Sequence, residues 1–334
     1  MTTAQKLQIF LLVLILGFLT GPRVMLALSR LTPNDKITSP DIAQVDTASE
    51  AINVASATST ATTSPYVKLD LVGKGIYVWD ISAGKKLYSK NEHNQMPLAS
   101  VTKMMMAVVA KELLPDNTKI AIRPIDILTE GNDGLFVGET WSFDKLLNFT
   151  LIASSNDGAS AIAGVAGATL PHASSTDPLT NKRLFIEKMN EKAQSLGLGN
   201  THFRNESGLD MASLTSGAYG SARDMAMLFE YVFRKHPELF APTTYAHLDL
   251  TSENDIVHHV TNTNQDVSRI TGIIGSKTGY TDLAGGNLVI VVDIGIDHPV
   301  VIAVLGSTVD GRFTDVEQLI DATVTEITGK TITR

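Results

Sequence analysis

The sequence predicts an α+β fold (an α/β sandwich) with an antiparallel sheet of about five strands, formed from both ends of one domain and flanked by helices. Two observations carry this prediction. Runs rich in Val, Ile and aromatic residues, typical of strands, lie near residue 80 and again between residues 273 and 306. The stretch between them has the apolar spacing of amphipathic helices. This stretch therefore predicts a mostly helical subdomain. The strand-like runs on either side of it predict that the two ends of the domain pair in one sheet.

The predicted elements begin with a hairpin, because the β-prone residues 76–79 and 86–88 flank a turn that contains Gly84. The helices that follow are predicted over residues 101–113, 143–153, 159–168, 184–196 and 222–233. Three more strands are predicted over residues 273–280, 286–294 and 299–306, and a last helix over residues 313–327.

The N-terminal residues predict export. Lys6 precedes an apolar run over residues 9–19, and Gly21-Pro22-Arg23 and more apolar residues follow as far as Leu28. The run is shorter than the ~20 apolar residues that cross a bilayer, which favours a signal peptide. Counting the apolar residues after Arg23 makes a membrane anchor possible. Residues 1–30 are therefore expected to be a signal peptide or an N-terminal membrane anchor, and both place the rest of the protein outside the cytoplasm.

Residues 31–65 are dominated by Thr, Ser, Ala, Asp and Pro. A tract of this composition cannot bury a core, so it is expected to be a flexible linker. The folded domain is expected to cover residues 66–334.

The composition excludes several functions. A net charge of −8 offers no basic surface for nucleic acid. The absence of cysteine excludes disulfides, thiolate nucleophiles and cysteine-ligated metals. The eight histidines are scattered, and His258-His259, expected on a strand or loop surface, lack the spacing of a metal-binding motif. We therefore expect no metal and no cofactor.

The first motif is Ser100-Val101-Thr102-Lys103, at the start of a predicted helix. Residues three apart share a helix face with roughly 5–6 Å between their Cβ atoms, so the lysine amine can reach the serine hydroxyl as its base. Unpaired backbone N–H groups at the helix start would also favour negative charge on an attacked carbonyl. Taken alone, the motif is better explained by an N-cap serine beside an exposed lysine.

The second motif, Ser154-Ser155-Asn156, lies in a polar loop between two apolar helical runs. Such a loop can bring the Ser154 hydroxyl to the nucleophile as a proton relay and the Asn156 amide to the substrate backbone. Ordinary capping of the following helix by one of these residues is the alternative.

The third motif, Lys277-Thr278-Gly279-Tyr280, lies in a predicted strand. A strand edge with a lysine and a threonine hydroxyl suits a peptide that ends in a free carboxylate. Gly279 has no side chain, so we expect another group to approach the strand closely at this residue. An exposed lysine on an edge strand is the alternative.

The three motifs follow one another in this order along the chain, and together they resemble the signature of penicillin-recognising serine enzymes. The segments around them resemble low-molecular-mass D-alanyl-D-alanine carboxypeptidases from residue 66 to the C-terminus, although Gly275-Ser276 and Gly286-Asn287 depart from the family pattern. The resemblance implies a β-lactamase/transpeptidase-like fold, peptidoglycan stem peptides ending in D-Ala-D-Ala as substrates, and β-lactams as covalent inhibitors.

The resemblance also implies a role for each motif residue. Ser100 would be the acylated nucleophile, Lys103 its base and Ser154 a proton relay. Asn156, Lys277 and Thr278 would bind the substrate, and the N–H groups of Ser100 and Tyr280 would form the oxyanion hole beside Gly279.

The motif residues are also compatible with other activities. A D,D-endopeptidase acting on peptide cross-links would use the same residues. A serine β-lactamase would need a deacylating glutamate, and Glu187-Lys188-Met189-Asn190 lacks the expected spacing. A non-catalytic peptidoglycan-binding module is the remaining alternative, although all the motif residues are present.

Overall fold

A computed structural model describes residues 64–330 except 128–129, 131–133, 175 and 296. The predicted signal peptide or anchor and all but the last two residues of the predicted linker lie outside the described residues. Those two assignments remain predictions. Within the part of the chain that is described, no helix combines the length and hydrophobicity needed to span a membrane.

The described residues form the predicted elements in the predicted order. The strands are β1 (Gly75–Asp80), β2 (Lys85–Lys90), β3 (Met96–Pro97), β4 (Lys119–Ala121), β5 (Thr140–Ser142), β6 (His202–Phe203), β7 (Ala218–Gly220), β8 (His247–Thr251), β9 (Val257–Thr261), β10 (Ile273–Thr281), β11 (Gly285–Asp293) and β12 (Pro299–Ser307). The α-helices are α1 (Lys103–Leu113), α2 (Phe143–Ile152), α3 (Asn156–Gly167), α4 (Pro178–Ser195), α5 (Ala222–Lys235) and α6 (Gly311–Thr328).

Five strands form one antiparallel sheet in the order β10-β11-β12-β1-β2. Strand β1 pairs with β12, with Gly75 opposite Leu305 and Asp80 opposite Val300. The two ends of the domain therefore meet inside the sheet, which confirms the predicted α+β fold. Strand β10 lies at one edge of the sheet.

Helices cover both faces of this sheet. Side chains alternate between the faces along a strand. Val289 and Val291 of β11 join the core that contains α1 and α5. Leu288 and Ile290 join the core that contains α6. Because both faces are buried, β11 and β12 are nearly unbroken apolar runs instead of alternating polar and apolar residues.

The short strands were not predicted. They form the pairs β4-β5 and β8-β9 and the ribbon β3-β7-β6. Strands of two or three residues are too short to show a period of two. Strand β9 does alternate, but one of its buried positions is His258, a residue predicted to lie at the surface.

The surface prediction is wrong for His258 and holds for His259, which is exposed. The His258 ring is buried against Trp141, with ring centroids 5.0 Å apart, and its Nε2 lies 2.6 Å from Glu139 Oε1. A histidine can occupy a core position of a strand because this buried carboxylate pairs with its polar atom.

Candidate active site

The first site segment is the turn over residues 97–103, here called the Ser100 turn. Ala99–Thr102 form a 3₁₀ turn, and α1 begins at Lys103. The prediction placed Ser100 in the first turn of the α-helix, whereas the structure inserts the 3₁₀ turn before it. Side chains three residues apart eclipse each other in 3₁₀ geometry. Lys103 Nζ accordingly lies 2.8 Å from Ser100 Oγ.

The Ser100 turn is held in a strained conformation by its surroundings. Ala99 has a φ of 48°, in the left-handed region that residues other than glycine rarely adopt. Ala99 is fully buried, and a Cβ added to Gly208 would stand only 1.9 Å from the Ala99 carbonyl oxygen. Strain of this kind persists where the surrounding structure over-determines the backbone, and it clusters at functional sites.

Lys103 is fully buried and contacts residues of the first two motifs. Besides Ser100 Oγ, its Nζ contacts Asn156 Oδ1 at 2.8 Å and the Ser207 carbonyl oxygen at 3.3 Å. Three oxygens from three parts of the chain therefore surround this amine.

The loop between α2 and α3 carries the second segment. Ser155 is the N-cap of α3, since its Oγ accepts a hydrogen bond from Gly158 N–H at 2.9 Å. The capping alternative is therefore correct for Ser155 and not for its two neighbours. Ser154, with a φ of 62°, and Asn156 contact the lysines of the other two motifs.

The third segment is the end of strand β10, where Lys277 and Thr278 are buried. Lys277 Nζ donates to Ser154 Oγ at 2.8 Å and to the Thr278 carbonyl oxygen at 3.0 Å. The Thr278 hydroxyl lies 2.6 Å from that of Thr263. The alternative of an exposed edge lysine is wrong for Lys277, which is 1% exposed. The three motifs thus meet at one site.

Gly279 brings the Ser100 turn against β10. A Cβ at Gly279 would stand 2.9 Å from the Leu98 carbonyl oxygen and 3.1 Å from Ser100 N. The predicted close approach at this glycine is therefore an approach of the main chain that carries Ser100. Tyr280, the next residue, has a side chain that is 53% exposed.

Other residues that contact the motif residues were not predicted as site residues. They include Ser207, whose carbonyl oxygen contacts Lys103, Thr263, which contacts Thr278, and Arg312, whose guanidinium donates to the Gly279 carbonyl oxygen at 2.8 Å. Arg312 gives no signal in the sequence, since it lies in α6, 33 residues from its partner.

Arg312 adds a buried cation next to the third motif. It is 6% exposed, and burial lowers the pKa of its guanidinium. The negative charge of Asp310 raises this pKa and so offsets part of the shift. Arginine remains charged at neutral pH despite such a shift. This charge and that of Lys277 make the surroundings of the third motif suited to an anion such as a carboxylate.

Among the residues that the structure describes, no group of three or more His, Asp and Glu side chains could hold a metal ion. At the motifs, the structure places a serine hydroxyl next to a buried amine.

Two curated relatives of this chain are both named D-alanyl-D-alanine carboxypeptidases. The chain is 32% identical to the D-alanyl-D-alanine carboxypeptidase DacF of Bacillus subtilis, over 59% of this chain and 48% of that protein. It is 30% identical to the D-alanyl-D-alanine carboxypeptidase DacD of Escherichia coli K12, over 63% of this chain and 52% of that protein. The chain thus spans about half the length of these relatives.

Solved structures share the fold. The D-alanyl-D-alanine carboxypeptidase from Mycobacterium tuberculosis H37Rv is 26% identical with a TM-score of 0.66, covering 76% of this chain and 92% of that one. Penicillin-binding protein D2 from Listeria monocytogenes, solved in its ampicillin-bound form, is 26% identical with a TM-score of 0.63. The match covers 76% of this chain and 98% of that one. These similarities confirm the predicted fold type.

The family model for peptidase S11, described as D-alanyl-D-alanine carboxypeptidase, matches residues 59–308, which include all three motifs. By this match over most of its length, the chain belongs to the peptidase S11 family of D-alanyl-D-alanine carboxypeptidases.

Proposed function

We propose that this chain is a serine-type D-alanyl-D-alanine carboxypeptidase that acts on peptidoglycan stem peptides through an acyl-enzyme on Ser100. The observation that carries the proposal is the 2.8 Å contact between Lys103 Nζ and Ser100 Oγ. The family and the activity named for its relatives support the same conclusion.

In the proposed acylation step, Ser100 Oγ attacks the carbonyl carbon of the penultimate D-alanine, and Lys103 takes the hydroxyl proton. Lys103 must be uncharged to accept that proton. Complete burial and the positive charge of Lys277 nearby both disfavour an ammonium at this position. The N–H groups of Ser100 and Tyr280 would stabilise the oxyanion.

The C–N bond then breaks, and the proton held by Lys103 passes through the Ser154 hydroxyl to the amine of the departing D-alanine. The contact between Ser154 Oγ and Lys277 Nζ, at 2.8 Å, supports this role because it holds the hydroxyl inside the cleft. Water next attacks the ester carbonyl and gives a proton to Lys103. The bond between the acyl carbon and Ser100 Oγ then breaks, and Lys103 returns the proton to Oγ, which releases the shortened peptide and restores the Ser100 hydroxyl.

Substrate binding falls to the third motif. The peptide would lie along β10, and the charge of Lys277 and the hydroxyl of Thr278 would bind its terminal carboxylate. The Asn156 amide would hydrogen-bond the peptide backbone in addition to its contacts with Lys103 and with the Glu130 carbonyl oxygen.

Peptidoglycan lies outside the cytoplasmic membrane, so the proposal requires an extracytoplasmic enzyme, in the periplasm or at the outer face of that membrane. The apolar run at residues 9–19 supports export, and residues 1–30 would tether the enzyme to the membrane if they are retained.

A second candidate activity is hydrolysis of peptide cross-links. It is favoured by a D-alanyl-D-alanine endopeptidase of Pseudomonas aeruginosa that is 29% identical over 66% of this chain and 67% of that protein. Both activities would share the acyl-enzyme on Ser100.

A fluorescent penicillin tests the proposed nucleophile. The wild-type protein should become covalently labelled, and the Ser100→Ala variant should not. Labelling of that variant, or no labelling of the folded wild type, would contradict the acyl-enzyme and favour a non-catalytic module. Rapid release of hydrolysed penicillin would identify a β-lactamase instead.

Product analysis on purified muropeptides separates the two peptidase activities. Release of free D-alanine from monomeric pentapeptides is the expected result. Conversion of cross-linked dimers to monomers without release of D-alanine would identify the endopeptidase.

A further inference from the structure

Asn287 lies behind the site, at an irregular point of the sheet. Strand β11 pairs with β12 with a register shift between Gly286 and Leu288, so that Asn287 lies at a β-bulge. Across the bulge, Gly306 has a φ of 66°, and its N–H donates to Asn287 Oδ1 at 2.8 Å. A bulge of this kind bends the strand and redirects a side chain, and bulges are frequent beside active sites.

The amide nitrogen of Asn287 points at the Ser100 turn. Its Nδ2 donates to the Leu98 carbonyl oxygen at 2.9 Å and to the Pro97 carbonyl oxygen at 3.1 Å. Asn287 is completely buried, so water cannot replace these bonds if the side chain is removed. The two carbonyls immediately precede Ala99, the residue with the strained φ.

Asn287 also faces β10. In the ladder between β10 and β11 it lies directly opposite Gly279. Directly opposed residues project to the same face of a sheet. Gly279 leaves room for the Ser100 turn, and Asn287 supplies the hydrogen bonds that hold the turn in that room. The pair therefore sets how closely the main chain at Ser100 approaches β10.

We infer that Asn287 is a positioning residue that sets the spacing between Ser100 N–H and Tyr280 N–H, the two donors of the proposed oxyanion hole. The inference rests on the proposed acyl-enzyme mechanism. Asn287 touches no reacting atom, and it acts by fixing the Ser100 turn against the strand on which Tyr280 lies. An oxyanion hole works only when both donors are held at hydrogen-bond distance from one oxygen.

Two variants separate this role from a purely structural one. Asn287→Leu removes the donor and the acceptor. Asn287→Asp keeps the shape of the side chain and the oxygen that accepts from Gly306 N–H. A carboxylate oxygen replaces the nitrogen that donates to the Pro97 and Leu98 carbonyl oxygens. The matched control is Leu288→Ala in the adjacent residue, whose side chain is in the core on the opposite face of the sheet. It should lower stability without moving the Ser100 turn.

Stopped-flow labelling with a fluorescent penicillin gives the dissociation constant of the initial complex and the acylation rate constant separately. For both Asn287 variants we expect the acylation rate constant to fall about 10²-fold, a loss that a misplacement of about 1 Å can cause. The dissociation constant should change little, because the third motif is intact. Leu288→Ala should lower the melting temperature and leave both constants unchanged.

Two results would overturn the inference. If Asn287→Asp is acylated at the wild-type rate, Asn287 serves only its bond to Gly306. If Leu288→Ala slows acylation as much as the Asn287 variants, the effect is general destabilisation. Should Asn287→Leu not fold, Asn287→Asp decides alone. Failure of the wild type to acylate would overturn the proposed function itself, and this is measured before any variant.

Discussion

Strands β10 and β12 are both nine residues long and largely buried, yet they bury opposite kinds of side chain. Strand β12 is buried along its whole length, mostly by Val, Ile, Leu and Ala. Strand β10 buries Ser276, Lys277 and Thr278. Apolar burial stabilises a fold directly, whereas a buried polar group destabilises it unless every polar atom is satisfied.

The polar groups of β10 are satisfied by residues from elsewhere in the chain. Ser276 Oγ accepts from Asn264 Nδ2 at 3.1 Å, and Lys277 Nζ donates to Ser154 Oγ. A pairing of this kind rarely makes a protein more stable than apolar residues of the same size would. Strand β12 contributes apolar burial to the fold, and β10 carries residues of the proposed site, so substitutions in the two strands should have different effects.

The largest expected effect is that of Lys277→Met in β10. The variant keeps most of the side-chain volume and loses the charge, so acylation by penicillin should fall about 10²- to 10³-fold. The melting temperature should not fall, because a buried cation is replaced by an apolar group. Acylation at the wild-type rate, or a large loss of stability, would break the distinction between the strands.

The matched change in β12 is Ile302→Ala. Ile302 is completely buried in the core on the α6 side, and its truncation should lower the free energy of unfolding by about 2–5 kcal/mol. Urea unfolding measures this loss. The acylation rate constant of the folded variant should equal that of the wild type, and a slower acylation would show that β12 also shapes the site.

Gly279→Ala sharpens the comparison within β10. The added Cβ would stand 2.9 Å from the Leu98 carbonyl oxygen, so the Ser100 turn must move away from the strand. We expect acylation to slow by about 10- to 100-fold. Gly199→Ala is the control, since a Cβ there meets no atom within 4 Å. Equal acylation by the two variants would disprove the close approach.

The smallest effect concerns the charged end of the β1-β12 pair. Burial alone would raise the pKa of the Asp80 carboxyl, but hydrogen bonds from Ala83 N–H at 2.8 Å and from His298 at 2.9 Å outweigh it and lower the pKa. A lowered folded-state pKa contributes stability above the unfolded value of about 3.9, and this stability is lost as pH falls through the folded pKa.

The Asp80→Asn variant should therefore lose less stability on acidification than the wild type does. Urea unfolding at a series of decreasing pH values, starting from about 6, measures this loss. Parallel losses in both proteins would show that Asp80 contributes nothing to the pH dependence.

The sequence predicted β12 better than it predicted the environment of β10. A strand of apolar β-branched residues is recognisable wherever it lies. Lys277 was assigned to a strand correctly, but its burial depends on Ser154, 123 residues away. His258 was misplaced for the same reason, because a buried histidine is identified by its partner, Glu139, and not by its own neighbours in the sequence.

The sequence by itself determined what depends on local spacing: the order of the elements, the five strands of the sheet, and the pairing of Ser100 with Lys103 three residues later. Only the tertiary structure decided which distant surfaces meet. The contacts of Lys103 with Asn156 and Ser207, of Lys277 with Ser154, and of Asn287 with the Ser100 turn join segments far apart in the chain. Periodicity encodes the face on which a side chain lies, and it does not specify the surface against which that face packs.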